Sequence, residues 1–486
     1  MFFFKKNPRK PVGNRKVSIT DSICDEYILQ YNNPGQNGEC ELNIGLDFGT
    51  SSSKMVIQAP DLPGQPSYAI NFGEYSSEVS PYLQPTILWL SADGVCYLDH
   101  HDNTKKIRNI KLKLFLDNDE CNGGSASVSQ NDNIEALAAC YLALVLRYSR
   151  RWFLETKQDL LCHFERFIWN FNMGVPSPCI EDNEENRIFR RVGKVAWKLS
   201  TLKESQITIT QAGIELSQVN DPEYWDNDED FSCDFEIIPE VAAGAIGYAL
   251  SDLRQNGLHI MIDIGASTLD VCSFKLDKKE GSNRYSLFLS DVQYLGTIGL
   301  YDSLINEPRN VYEKHAITLS ATHDPMTPIP KEANHYLLPK EEIVAALKEV
   351  QESYKKEFLT TIRRVINQTR LRRDPNATVW RNGRLPVILI GGGCKMEFLY
   401  KAVEELDDWL KGLVRNDGIR FLSPPIPEQL VDSEEYADDY HYLAVSWGLS
   451  HRPLDVGDII PADHIPDVER PRPINWRSRY VGKELV

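Results

Sequence analysis

The sequence lacks a long hydrophobic run, any Cys-x-x-Cys pair and a surplus of basic charge, and each absence excludes a class of protein. Its longest apolar run, residues 136–146, is much shorter than the ~20 residues that span a bilayer. The opening Met1-Phe2-Phe3-Phe4 is followed at once by lysines, which is too short for the core of a signal peptide. The ten cysteines are scattered, so we expect reduced thiols in a cytoplasmic protein rather than a zinc ribbon.

The chain is acidic overall, but its charge is unevenly distributed. Its 53 Lys and Arg against 70 Asp and Glu give a formal net charge of −17, which argues against non-specific nucleic-acid binding by the whole surface. Residues 1–20 contain six basic side chains and no acidic one. We interpret this arm either as a solvated extension or as a contact segment for an acidic partner or a nucleic acid.

Length and composition predict a globular chain of several units. With 486 residues, of which 42% are hydrophobic and 25% charged, the sequence has room for about three domain-sized units. Residues 1–41 are polar and rich in turn formers, and we interpret them as a basic, flexible N-terminal extension. Residues 453–486 are rich in proline and are predicted to form a tail, either draped over a surface or disordered.

Hydropathy patterns between these ends predict alternating strands and helices. The predicted strands cover residues 42–48, 54–58, 259–264, 269–276, 285–295 and 386–390. The predicted helices cover residues 134–169, 184–199 and 341–371. Residues 217–235 are rich in Asp and Glu, and we interpret them as an acidic surface loop rather than a metal cluster.

Two segments of the chain have similar amino-acid sequences. Residues 44–52 read I-G-L-D-F-G-T-S-S, and residues 261–268 read M-I-D-I-G-A-S-T. A glycine after a strand lets a turn bring its N–H groups close to a phosphate, and the Ser and Thr hydroxyls add donors. An Asp at the strand end can hold Mg²⁺ through water. Two such turns that face each other would clamp one triphosphate.

These segments resemble the two phosphate loops of the actin/Hsp70/sugar-kinase superfamily of ATPases, and most closely those of the Hsp70 nucleotide-binding domain. Four further segments resemble other motifs of that family, and all six segments occur along the chain in the family's order. They resemble the first connecting helix (residues 239–248), the glycine turn after the second loop (295–302), the adenosine loop (388–395) and the second connecting helix (443–449).

The resemblance implies an α/β fold with two duplicated ribonuclease H-like lobes flanking a nucleotide cleft. Lobe I would be residues 42–257, with the first phosphate loop, a helical insertion and the first connecting helix. Lobe II would be residues 258–452, with the second phosphate loop, a shortened subdomain, the adenosine loop and the second connecting helix.

The resemblance also implies a role for each motif residue. Asp47 and Asp263 would hold Mg²⁺ through water, with Asp263 also handling a proton, and Glu240 would order the attacking water. The phosphates of ATP would lie against Gly49, Thr50, Ser51, Gly265, Ser267 and Thr268. The adenosine would lie against Gly391, Gly392, Gly393 and Lys395, with the lysine over the adenine ring.

Two lysine positions stay open in the sequence. Lys54 follows Asp47 at the spacing of the phosphate-binding lysine of actin, and it is otherwise a solvated strand residue. Hsp70 proteins use a lysine after the first loop for the γ-phosphate, and here Lys111 and Lys113 are the candidates. We prefer Lys111 because it follows Ile110 directly.

The implied function is a slow, Mg-dependent ATPase that acts as a nucleotide-driven conformational switch for a protein partner or client. The sequence departs from Hsp70 in its short connection between Asp302 and Glu341, where no adenine clamp can be mapped, and in having no peptide-clamping domain after residue 452. The alternative is an actin-like filament or adaptor protein of the division or pilus-assembly type, which would bind ATP with little hydrolysis. A sugar kinase is a third possibility, but no sugar-domain base motif is present.

Overall fold

The computed structural model describes residues 38–77, 79–115, 133–161, 164, 166–176, 184–202, 204–219, 233–300, 341–414, 416–432 and 439–468. Several features predicted from the sequence lie outside these residues. They are the basic arm, the acidic segment at residues 220–232, Asp302 with the shortened subdomain that follows it, and the tail beyond residue 468.

Within the described residues the chain alternates strands and helices. The strands are β1 (Glu39–Phe48), β2 (Ser52–Gln58), β3 (Ser67–Ala69), β4 (Gln84–Pro85), β5 (Leu88–Leu90), β6 (Cys96–Tyr97), β7 (Lys105–Ile107), β8 (Arg166–Val175), β9 (Asp234–Pro239), β10 (Gly257–Ile264), β11 (Leu269–Lys279), β12 (Ser282–Gln293), β13 (Leu385–Ile390), β14 (Ile419–Leu422) and β15 (Asp458–Ile460). The α-helices are α1 (Ile110–Phe115), α2 (Ile134–Thr156), α3 (Gln158–Leu161), α4 (Glu184–Thr201), α5 (Ile209–Gln218), α6 (Glu240–Ala249), α7 (Glu341–Gln368), α8 (Glu397–Leu413), α9 (Tyr440–Leu449) and α10 (Pro453–Val456).

The first large sheet has the spatial order β3-β2-β1-β8-β9, with β4 also paired to β2. Strand β2 runs antiparallel to β1 and to β3, whereas β8 and β9 run parallel to β1. Helices α2 and α4 pack on this sheet in one apolar core. The side chain of Asn133 caps α2 by accepting hydrogen bonds from the amides of Glu135 and Ala136.

The second large sheet has the order β14-β13-β10-β11-β12-β15. Strands β10, β11 and β12 form an antiparallel meander, and β13 and β14 run parallel to β10. Helices α7 and α8 pack on it in a second apolar core. Apart from the edge strand β15, this order and these directions repeat those of the first sheet, strand for strand. The chain is therefore a mixed α/β protein, as predicted.

Helices α6 and α9 lie between the two sheets in a third core. The segment that α6 occupies joins β9 of the first sheet to β10 of the second. The two helices cross at Gly448, where a Cβ would lie 2.0 Å from the carbonyl oxygen of Ala243. Only glycine allows backbones to approach this closely, which accounts for the small residues that both segments contain.

The predicted helix over residues 134–169 is wrong in its last part. The helix α2 ends at Thr156, and β8 begins at Arg166. Phe167, Trp169 and Phe171 are buried, while Ile168 between them is exposed. This period of two is typical of a strand, and the exposed Ile168 obscured it in the sequence because it places an apolar residue on the polar side of the alternation.

The first part of the proline-rich tail lies on the second sheet. After α10, strand β15 pairs in parallel with β12, and Arg373 donates to the carbonyl oxygens of Ala462 (3.2 Å) and Ile465 (2.5 Å). The residues just before the tail are bound to the first sheet, because the Asn172 side chain on β8 donates to the carbonyl oxygens of Leu449 and His451 at 2.8 Å each. None of the helices in the described part of the chain has the length and apolarity that a membrane crossing needs.

Candidate functional site

The two repeated motifs form matching hairpins at the carboxyl ends of β1 and β10. In the first, Asp47 lies opposite Lys54 across the ladder. In the second, Asp263 lies opposite Asp270. Each turn has the same length and begins with a glycine, so Lys54 and Asp270 occupy the same position in the two hairpins.

The first turn is fixed by Thr86, which sequence reasoning did not identify. Its hydroxyl donates to the carbonyl oxygen of Gly49 (2.7 Å), and its amide donates to the carbonyl oxygen of Ser51 (2.8 Å). Thr50 lies between these anchored residues and is partly exposed. The turn therefore directs two carbonyl oxygens into the protein, away from any anion placed at its outer side.

The second turn is fixed in the same manner by the glycine turn at residues 295–299. The amides of Gly296, Thr297 and Ile298 donate to the carbonyl oxygens of Ser267 (3.0 Å), Gly265 (3.1 Å) and Ala266 (2.7 Å), respectively. These bonds again direct the carbonyl oxygens inward. Ser267 and Thr268 are partly exposed, and the hydroxyl of Thr268 donates to Asp270 at 3.4 Å.

Two lysines pair with two carboxylates at this end of the sheets. Lys54 Nζ lies 3.0 Å from Asp47 Oδ2, and Lys111 Nζ lies 2.7 Å from Glu240 Oε1. Lys111 is only 6% exposed. Burial by itself would lower the pKa of Lys111, but the charge of Glu240, its hydrogen bond and the charges of Asp47 and Asp270 together outweigh burial and raise the pKa above its usual value.

This arrangement distinguishes the two lysine candidates on α1. Lys111 reaches Glu240 at the first residue of α6, whereas Lys113 is half-exposed. The structure thus brings the preferred lysine to the predicted carboxylate, although the two lie 129 residues apart in the chain.

The second hairpin brings two buried carboxyl groups together. Burial, followed by the charge of Glu240 and then that of Asp47, raises the pKa of Asp263 to about 7. Lys54 and Lys111 act in the opposite direction. Burial and the charge of Asp263 also raise the pKa of Asp270 well above its usual value. At neutral pH this hairpin would hold protons that a cation could replace.

Two buried polar atoms here have no hydrogen-bond partner among the described residues. They are Asp270 Oδ1 and Ser51 Oγ, one on each hairpin. Such atoms are costly to leave unpaired. Carboxylate oxygens with raised pKa values and an unpaired lone pair suit a hard divalent cation, and an unpaired hydroxyl suits a phosphate oxygen. Among the described residues no three His, Cys, Asp or Glu side chains are grouped to hold a metal ion directly, so the residues present fit a phosphate-bound cation that is held through water.

A small pocket opens beside these carboxylates. Its walls come from the second sheet and from α6, together with Pro176, which directly follows β8. The lining residues include Pro176, Glu240, Met261, Asp263, Asp270 and Ile390.

The predicted adenosine loop follows β13, directly beside Asp263. Gly391 has φ +83°, and a Cβ there would lie 2.2 Å from Asp263 Oδ1. A Cβ on Gly392 would lie 2.7 Å from the ring of Tyr442, and one on Gly393 would lie 2.3 Å from Ile264. The three glycines are thus required by their protein neighbours. Lys395 ends the 3₁₀ turn Gly392–Lys395 and is exposed.

Every predicted site residue lies in the described part of the chain, and the predicted carboxylates and lysines interact electrostatically in one cluster. Sequence reasoning gave no role to Asp270. Its signal was present, because Asp270 follows Asp263 at the same spacing as Lys54 follows Asp47. No protein-family model matches the chain, and no curated protein matches it either. The functional argument therefore depends on the geometry of the site.

Proposed function

We propose that the chain is a Mg-dependent ATP-binding protein and slow ATPase, built from two duplicated ribonuclease H-like lobes of the actin/Hsp70 type. The observation that carries the proposal is the pair of hairpins with matching register, each at the end of the central strand of a sheet with the same strand order. Two equivalent turns facing one cluster of carboxylates and lysines suit a ligand with several phosphates.

The phosphates would lie between the two turns. In both, the carbonyl oxygens are bound by neighbouring residues, and the amides of Gly49 and Gly265 donate to the carbonyl oxygens of Asp47 and Thr268. The Ser and Thr hydroxyls of the turns would therefore contact an anion. Lys54 and Lys111 supply the positive charge that an acidic chain needs here. Phosphoryl transfer requires positioning and charge neutralisation more than covalent chemistry, and this set of residues offers both.

Asp47 and Asp263 would hold Mg²⁺ through water, with Asp270 close by. When bound, the ion would neutralise phosphate charge and polarise the phosphorus–oxygen bond that breaks. Glu240 would orient the attacking water, and Lys111 keeps the Glu240 carboxylate in place through its 2.7 Å contact. Asp263, whose pKa is about 7 in the absence of a ligand, would accept a proton from that water.

A nucleotide in this position would favour one arrangement of the two sheets. It would contact both hairpins, and the helices between the sheets, α6 and α9, cross without room for a side chain. A ligand shifts a conformational equilibrium by its difference in affinity between the two states. We therefore expect the nucleotide to stabilise a closed state, which a protein partner or client would detect.

The experiment that tests hydrolysis is phosphate release from ATP·Mg by the full chain. We expect Asp263→Asn and Glu240→Ala to reduce the rate at least 100-fold. The matched controls are Asp252→Asn and Glu236→Ala, which change exposed carboxylates on neighbouring segments and should leave the rate unchanged. Equal rates in all four variants and the wild type would contradict the assignment.

One observation favours a second candidate, an actin-like filament or adaptor that binds ATP with little hydrolysis. Lys54 pairs with Asp47 at 3.0 Å, and a lysine at this spacing is the feature that the sequence shares with actin. Sedimentation of the full chain with and without ATP distinguishes the two. ATP-dependent pelleting would favour the filament, whereas a constant sedimentation coefficient would favour the switch.

A further inference from the structure

Helix α2 carries two buried arginines one helical turn apart, Arg147 and Arg150, which are 4% and 3% exposed. The guanidinium of Arg147 donates to five backbone carbonyl oxygens of residues 199–205, at 2.9 to 3.5 Å. These carbonyls end helix α4 and follow it, where the helix dipole places partial negative charge. The buried charge of Arg147 is therefore well compensated.

Arg150 has no comparable set of acceptors in the described part of the chain. Its Nη1 lies 3.5 Å from Ser200 Oγ, its Nε has no hydrogen-bond partner, and the ion pairs found along α2 and α4 involve other arginines. Two indole rings flank the guanidinium. Its central carbon lies 4.8 Å from the ring centroid of Trp197 and 5.2 Å from that of Trp169.

The positive charge of Arg150 is not neutralised by these neighbours. Arginine keeps its charge in proteins, and contact with aromatic rings stabilises a cation without supplying a negative charge. Cys233, which directly precedes β9, is near enough to feel this charge, but burial outweighs Arg150 and raises the pKa of the thiol far above its usual value. The thiol is therefore neutral, and the buried guanidinium has a costly environment.

A second buried donor at the same place also has no partner. Trp169 is 5% exposed, and its Nε1 forms no hydrogen bond with the described residues. The unpaired groups are thus a cationic N–H and a neutral N–H on two side chains in contact, which is the donor set that an anion requires. Because Arg150, Trp169 and Trp197 are all at least 95% buried, only a small ion would fit.

We propose that Arg150 and Trp169 bind a small oxyanion, such as inorganic phosphate, between α2, α4 and β8. The site is separate from the two hairpins. Trp169 is in register with Leu42 on β1, and Leu42 precedes Asp47 by five residues, or about 16 Å of strand. An oxyanion here is thus not part of a nucleotide bound at the hairpins, and the proposal does not depend on the proposed function.

The test is urea unfolding of the full chain in sodium phosphate, with sodium chloride at the same ionic strength as the reference. Phosphate stabilises most folded proteins to some extent, so the readout is the difference between variants. At ten times the dissociation constant, bound phosphate should raise the ratio of folded to unfolded wild type about tenfold more than that of Arg150→Met. In chloride alone, Arg150→Met should be at least as stable as the wild type, because it removes an unpaired buried charge.

The matched control is Arg151→Met, which changes the next residue of α2. Arg151 pairs with Glu155 at 2.8 Å, and this variant should respond to phosphate as the wild type does. If Arg150→Met does not fold, Trp169→Phe serves, because it keeps an aromatic ring and removes only the N–H; it should reduce the response to phosphate. Sodium acetate in place of phosphate distinguishes a site for any carboxylate or oxyanion from one for tetrahedral anions alone.

The same phosphate response in the wild type, Arg150→Met and Trp169→Phe would overturn the proposal, since the two rings alone would then accommodate the guanidinium. So would a response that is lost in Lys54→Met and kept in Arg150→Met, because the ion would then lie at the first hairpin. Selective loss in Arg150→Met supports the lobe I site, whether or not the chain binds ATP.

Discussion

Lys54 and Asp270 occupy the same position in two matching hairpins, but one is a basic residue and the other an acidic residue. Lys54 lies across from Asp47 and neutralises it, whereas Asp270 lies across from Asp263 and adds a second carboxyl group, which burial and the charge of Asp263 keep protonated well above its usual pKa. The two halves of the site are therefore alike in backbone and different in charge. A cation would be attracted to the second hairpin and phosphate oxygens to the first.

The first prediction concerns this asymmetry. Lys54→Met should weaken the binding of ATP·Mg about tenfold, because it removes the cation of the first hairpin. It should also lower the free energy of unfolding by about 1–3 kcal/mol, because Asp47 is left poorly solvated and unpaired. Calorimetry and urea unfolding measure the two effects.

The control for Lys54 is Lys275→Met. Lys275 is also a strand lysine in an ion pair, 3.2 Å from Asp277, but it is 42% exposed. Exposed pairs contribute little, so this variant should behave as the wild type does. Similar losses in the two variants would contradict the special role of Lys54.

The second prediction separates the two lysines of α1. Lys111→Ala should reduce phosphate release at least 100-fold, because Glu240 loses the contact that orients it. Lys113→Ala, two residues away and half-exposed, should retain most of the activity. Single-turnover phosphate release on both variants measures this. A larger loss in Lys113→Ala would mean that the wrong lysine has been assigned.

The third prediction concerns pH. In the ligand-free protein Asp263 keeps its proton up to about pH 7, whereas in the unfolded chain it loses the proton near pH 4. The native state thus binds more protons between these values, so the contribution of this group to the free energy of unfolding falls as pH rises from about 4 to 7. Asp263→Asn, which cannot ionise, removes that loss.

We therefore expect Asp263→Asn to be more stable than the wild type at pH 8, by roughly 1 kcal/mol or more, and similar to it near pH 4. Urea unfolding at the two pH values measures the difference. Asp252→Asn, at an exposed position, should show no such change. A stability gap that does not grow with pH would rule out a raised pKa at Asp263.

The fourth prediction uses two glycines with similar backbone angles. Gly383 has φ +78° and no atom within 4 Å of its added Cβ, whereas Gly391 has φ +83° and Asp263 Oδ1 at 2.2 Å. Gly383→Ala should cost about 1 kcal/mol of stability through φ alone. Gly391→Ala should cost more and should also weaken ATP·Mg binding, because Asp263 must move. Equal effects on binding would show that the contact with Asp263 does not matter.

The hairpins were predictable because their signals are local. An apolar alternation that ends in Asp, one apolar residue and Gly predicts a strand followed by a tight turn, and the structure has both turns where the repeat places them. The mixed α/β character followed from the same alternation. The spacing of Asp270 from Asp263 could also have been recognised in the sequence, because it equals that of Lys54 from Asp47. Two carboxylates opposite each other do not by themselves favour the pairing of two strands, however.

The other features of the site and fold could not be predicted, because they depend on contacts between residues that are distant in the sequence. Thr86 reaches the first turn from 37 residues away, and Tyr442 reaches the triglycine turn from a different helix. Strand β8 was missed because Ile168 interrupts the polar side of its alternation with an exposed apolar residue. Neither a distant hydrogen bond nor an exposed isoleucine can be recognised from local sequence patterns.

The most direct test of the central claim is a calorimetric titration of ATP·Mg into the wild-type full chain. The account predicts binding of one nucleotide per chain, with an affinity that falls when EDTA removes the Mg²⁺ and again when Asp263 is changed to Asn. Absence of ATP binding, or binding that neither EDTA nor Asp263→Asn affects, would contradict a nucleotide site between the two hairpins.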